Sequence, residues 1–180
     1  MTASSPLPQP ELSKIIKLSE IGSSALTGTI VADDEERQAL AKRFDLPSIE
    51  SITSEYRLAA KEHEISFTGT IQSSLHQACA ISGQPFPVQI DEIFNIIFVE
   101  KTEIPASDEE IELAPEDCDV IEYDAAQIDL GEAIAQTLYL ALDPYPRGPD
   151  ADRAAEKNGL KSEEEAGPFG ALAALKDKLG

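Results

Sequence analysis

A chain of 180 residues with a formal charge of −20 and a sequence pI near 4.3 suits one domain with tails, long enough to bury roughly two-thirds of the surface its unfolded form exposes. Such a surface repels phosphate backbones and attracts basic proteins, amines and other cations, so nucleic acid is an awkward direct partner unless the basic residues cluster. Two cysteines, no basic-then-apolar leader and no window with the ~18 apolar residues of a membrane helix predict a soluble cytoplasmic protein with neither a disulfide framework nor a membrane partner.

Residues 1–10, rich in Ser and Pro, read as a disordered lead, and a single domain is expected over 11–147. Ile15, Ile16 and Leu18 predict a short strand and residues 26–32 a second. Asp33 with Glu36 three residues later is a helix start, the helix running to about Phe44 with Pro47 barring its continuation. Period-two alternation then predicts two long antiparallel strands. In the first, Ile52, Tyr56, Leu58 and Ala60 share one face; after a turn near Glu62, Ile65, Phe67, Ile71, Leu75 and Cys79 share one face of the second. Residues 82–85 reverse the chain into a further strand over 86–99, whose apolar second half, from Ile93 to Val99, is expected to be covered on both faces.

Residues 102–119 turn acidic and poor in large apolar side chains, which reads as a mobile loop. Its run from Asp108 to Glu112 either holds a basic peptide, mimics a phosphate backbone or is simply solvated. Residues 118–123 suggest a short strand. Asp129 and Glu132 open a second helix, with Leu130, Ile134, Leu138 and Leu142 as its buried stripe. Residues 148–166 read as a flexible linker, and 167–180 as a short amphipathic helix carrying Phe169, Leu172, Leu175 and Leu179. The fold class is α+β: a mainly antiparallel, twisted sheet that closes toward a barrel, two packed helices and a short C-terminal one.

Catalytic chemistry finds no candidate. His76 and Cys79 are three apart in a strand, hence on opposite faces, and no C-x-x-C occurs, so no metal or other cofactor is expected. His63 and His76 lie at a turn and on a polar strand face, most simply solvated. Binding has two candidate sites. Pro144, Tyr145, Pro146 and Arg147 form a turn whose shape two prolines fix, presenting an aromatic and a guanidinium to a partner; the alternative is a rigid helix stop with Tyr145 packed on the core. Basic residues gather in the first third, and nothing basic occurs between Lys101 and Arg147, which predicts an electrostatically two-sided molecule with Lys42, Arg43 and Arg57 as RNA-binding candidates.

Several blocks resemble the YceD family of large ribosomal RNA subunit accumulation proteins, in its alphaproteobacterial form. They are Thr68-Gly69-Thr70-Ile71 leading into residues 77–86 around Cys79, Ile128-Asp129-Leu130-Gly131-Glu132 with residues 140–147, and residues 167–176. The resemblance spans about 11–176. It implies a cytoplasmic, non-enzymatic factor for the accumulation of large-subunit (23S) ribosomal RNA, and lends no catalytic residue. Its expected partner is a basic large-subunit ribosomal protein, pre-ribosomal large-subunit RNA, or both. The alternatives are an RNA-binding factor without a protein client and an enzyme acting on a cationic small molecule.

Overall fold

The computed structural model describes residues 10–22, 24–61, 64–101, 119–123 and 126–159. A short strand β1 (Ile15–Lys17) is followed by β2 (Leu26–Val31), helix α1 (Asp34–Arg43) and three long strands, β3 (Ser48–Lys61), β4 (Glu64–Ala78) and β5 (Pro85–Glu100). Next come β6 (Asp119–Tyr123), β7 (Gln127–Asp129), α2 (Leu130–Leu140) and α3 (Ala151–Lys157). Strands β2 to β5 form an antiparallel meander, and β6 joins β5 in parallel to give the order β2-β3-β4-β5-β6. β1 pairs antiparallel with β7, Ile16 opposite Ile128, as a separate two-stranded ribbon.

Alternation sets which face of the sheet is buried. Ile65, Phe67, Ile71 and Leu75 of β4 line up with Phe94, Ile96 and Phe98 of β5 and with Ile52 and Leu58 of β3. Together with Leu40, Phe44, Ile128, Leu130, Ile134 and Leu138 they form one core between the sheet, the helices and the β1–β7 ribbon. Ile49 and Ile52 of β3 are both buried despite opposite parity, because the register slips at Glu50, where an extra residue restores the inward face. Phe67 centres an aromatic cluster, its ring centroid 4.7 Å from Phe94, 5.7 Å from Tyr56 and 6.0 Å from Phe98. Gly28 and Gly69 flank Tyr56 in register, and a Cβ on Gly28 would stand 2.7 Å from the Tyr56 hydroxyl. Glycine there is what lets the Tyr56 ring lie across the neighbouring strand.

Asp33 caps α1, accepting from the N–H groups of Glu35 and Glu36 at 2.9 Å, while the Glu36 carboxylate accepts from Asp33 N–H at 2.8 Å. The helix ends in a left-handed residue, Asp45 at φ 55°, after which Leu46 N–H reaches back to Ala41 O at 2.8 Å.

Three expectations need correction. Among the described residues the sheet is open, not a barrel: β2 and β6 are its edges, and no ladder joins them. The second half of β5 is not covered on both faces, since Ile93 is 83% exposed. Residues 151–157, expected within a flexible linker, form α3, with Ala151 buried and its N–H bonded to Gly148 O. The N-terminal lead, nearly all of the acidic loop and the C-terminal amphipathic segment lie outside the described residues.

Candidate functional site

The two separated sequence blocks that carry most of the family resemblance meet in space. β4 ends in a turn where Cys79 N–H bonds to Gln84 O at 2.9 Å and Gly83, at φ 70°, donates its N–H to Cys79 O at 2.8 Å. The segment after α2 lies against this turn. Buried Gln77 donates its Nε2 to Asp143 O at 2.9 Å, and Ala80 N–H donates to Pro146 O at 2.8 Å. Gly148 rests on Phe86 and Cys79, where a Cβ would come within 3.0 Å of the Phe86 ring. The chain is thus pinned on both sides of Pro144 and Tyr145, and Asp143 Oδ1 closes the turn by accepting from Tyr145 N–H at 2.8 Å.

Tyr145 is 77% exposed, so the turn presents the ring outward and does not pack it on the core. Arg147 is not free: its guanidinium reaches Asp152 of α3 at 2.7 Å. Pro144 and Pro146 line a groove of about 530 Å³ with Asp143, Leu142, the end of α2 and Phe44 to Leu46 after α1. A second hollow of about 300 Å³, bounded by Phe44, Tyr139, Leu140, Gln136 and Arg43, continues it. Phe44 and Tyr139 stack across the helix junction, centroids 5.2 Å apart.

The structure separates the RNA-binding candidates. Arg43 is committed to α1–α2 packing: it grips Glu132 through both nitrogens at 2.8 Å and Glu11 at 2.9 Å. Glu132 holds the guanidinium protonated, and Arg43 in turn is the chief cause of a Glu132 carboxyl below the usual carboxylate range. Lys42 is exposed on α1 with no ion-pair partner among the described residues. Arg57 projects from β3 on the face turned away from the core, between Thr27 and Thr68. The three cations do not form one patch.

Every residue of the block Ile128 to Glu132 has a structural task. Ile128 and Leu130 are core; Asp129 caps α2, accepting from Gly131 and Glu132 N–H and also from Lys14 N–H at 2.7 Å. Gly131 admits the backbone of Leu12, whose carbonyl would stand 2.7 Å from a Cβ there.

Two polar constellations remain. His76 is not simply solvated: its Nδ1 lies 2.8 Å from Glu50 Oε1 and 3.1 Å from Ser48 Oγ. Both partners meet the same ring nitrogen, so this is no relay in which the imidazole passes a proton between hydroxyl and carboxylate. The Glu50 carboxyl sits below its usual range, held first by the Ser48 hydroxyl and then by His76. Cys79 is buried, and the Ser82 hydroxyl, with backbone N–H groups of Ser82, Gly148 and Ile81, lowers its thiol to about 7. No group of three His, Cys, Asp or Glu among the described residues could hold a metal ion.

Sequence reasoning reached the turn and missed the groove beside it. Tyr139 and Leu140 fall off the Leu130–Leu142 stripe, and two large apolar residues on a face assigned to solvent were the signal that could have found it.

No curated protein and no solved structure matches the chain. A family model described as "Large ribosomal RNA subunit accumulation protein YceD" matches residues 67–176. That span takes in β4, β5, the turn and α2, the elements that build the pinned turn and most of the groove, and the chain therefore belongs to the YceD family of large ribosomal RNA subunit accumulation proteins.

Proposed function

We propose that the protein is a non-enzymatic factor of large-subunit assembly, working in the cytoplasm, that supports accumulation of 23S ribosomal RNA by holding a basic large-subunit ribosomal protein until RNA takes it over. The family supplies the RNA whose accumulation is at stake. The observation that carries the choice of a protein client is electrostatic. The chain has a formal charge of −20, Arg43 and Arg147 are occupied by carboxylates, and Lys42 and Arg57 stand apart. A field of that sign speeds encounter with cationic proteins and disfavours phosphate backbones.

The test is an affinity pull-down of the tagged full-length protein from gently lysed cells, with and without ribonuclease. One or a few basic large-subunit proteins should be retained after ribonuclease and released as salt rises to ~0.5 M, where exposed charges are screened within about 5 Å. Loss of those proteins with the RNA would move the reading to direct RNA contact. A Lys42→Gln, Arg57→Gln double variant should then bind RNA less tightly; Arg43 is left out because its removal disturbs packing. Retention of neither species would make the role indirect.

A further inference from the structure

We propose that the groove between the ends of α1 and α2 takes a cationic segment of a basic protein. One large apolar side chain of that segment seats on Phe44, Tyr139 and Leu140, and lysines or arginines beside it meet Asp45 and Asp143. The inference rests on the reading above and gives its partner a site and a chemistry.

Tyr139 is 55% and Leu140 74% exposed, neighbours on α2, and Leu140 shares a further hollow of about 250 Å³ with Ile93. Single exposed apolar side chains are ordinary, whereas a run of them joined through shared hollows marks a binding surface. Apart from Arg43, the charge around this floor is of one sign. Asp45 and Asp143 border the groove, and Glu92 and Asp119 border the hollow beyond Leu140. The one lining cation among the described residues, Arg43, is held by Glu132 and Glu11. An apolar floor under unbalanced carboxylates complements a segment both apolar and cationic. It repels RNA, and a second copy would bring another −20 against it. The turn that borders the groove is also pinned, by Gln77 on Asp143 and Ala80 on Pro146, so little ordering is needed there on binding.

The probe is a fluorescein-labelled peptide of lysines flanking one tryptophan, titrated with the full-length protein at ~0.1 M salt and followed by fluorescence anisotropy. Its controls replace tryptophan with alanine, or the lysines with glutamine. The tryptophan peptide should bind at least about tenfold more tightly than the alanine one, the ratio expected for burying an aromatic side chain. A Tyr139→Ser, Leu140→Ser variant should lose that preference while remaining folded, its thermal midpoint lowered only by the lost Phe44 contact. Asp45→Asn, which suits the left-handed backbone, should weaken both lysine peptides and spare the tryptophan preference. Equal affinities for the tryptophan and alanine peptides, or a preference undiminished in the serine variant, would overturn the proposal. So would a dimer in sedimentation that the serine variant dissolves. Binding that rises on Phe169→Ser with Leu172→Ser would assign the groove to the chain's own C-terminal segment, again overturning it. If basic large-subunit proteins are still retained in the pull-down by a chain showing no tryptophan preference, only the groove fails and the assembly role stands.

Discussion

Ser54 is fully buried on the inward face of β3, and its hydroxyl has no hydrogen-bond partner among the described residues. An unpaired buried hydroxyl costs about 1–3 kcal/mol of desolvation, so Ser54→Ala should leave stability unchanged or raise it by up to about 1 kcal/mol in urea titration; a clear loss would mean the hydroxyl is satisfied in solution. Asp45 is a costly choice of another kind. Its left-handed φ favours glycine, and its charge stands at a helix C-terminus, where the dipole disfavours an anion. Asp45→Gly should stabilise by about 0.5–1 kcal/mol and, under the proposal for the groove, weaken the binding of cationic peptides, a divergence readable by pairing thermal melts with peptide titrations. At Cys79 the donors from Ser82 outweigh burial, which pushes the other way. The pH dependence of alkylation should therefore have a midpoint near 7, proceed slowly because the sulfur is buried, and move upward in Ser82→Ala.

α2 shows at the scale of an element how much the sequence disclosed. Its start was legible because a cap is a local pattern, and Leu130, Ile134 and Leu138 of the expected stripe are buried, whereas Leu142 lies past the helix end and is only partly covered. The reasons for Gly131 and Glu132 were not, because they lie in Leu12 and Arg43, far away in sequence. Gly131→Ala would gain about 1 kcal/mol of helix propensity and lose about 1–3 kcal/mol to crowding. The obstacle is a backbone carbonyl, which cannot swing aside, so a net loss of up to about 2 kcal/mol is expected in chemical denaturation. The Glu132–Arg43 pair has a pH signature. Arg43 lowers the folded-state carboxyl, so its stabilisation is complete above the unfolded-state value of about 4.3 and disappears as pH falls through the folded-state value. The thermal midpoint of Glu132→Gln should thus lie below the wild type at pH 7, by the equivalent of about 1–2 kcal/mol, and the gap should narrow on acidification toward pH 3.

For the whole molecule, sheet, helices and strand faces were readable from alternation and caps, whereas closure was not. A twisted meander either curls shut or stays open according to which strand lies at the edge. Nothing local in residues 119–123 announced that β6 would add in parallel beside β5. Nor could parity reveal the bulge at Glu50 that turns a carboxylate toward His76. The candidate turn was legible because its prolines are; the groove needed α1 and α2 side by side.

The pairing of β1 with β7 also bears on the order of synthesis. β1 is synthesised before the meander, yet among the described residues that strand's only ladder partner is residues 127–129, and Ser13 waits for Asp129. The hairpins of the meander need only their neighbours and can form as they emerge. The part of their apolar face that α1 does not cover must then stay open until α2 follows, an interval in which an acidic chain of high like charge is slower to aggregate than a neutral one. Completion of the core thus waits for α2, and with it the juxtaposition of α1 and α2, so a translation product truncated before residue 130 would carry the meander without the groove proposed above.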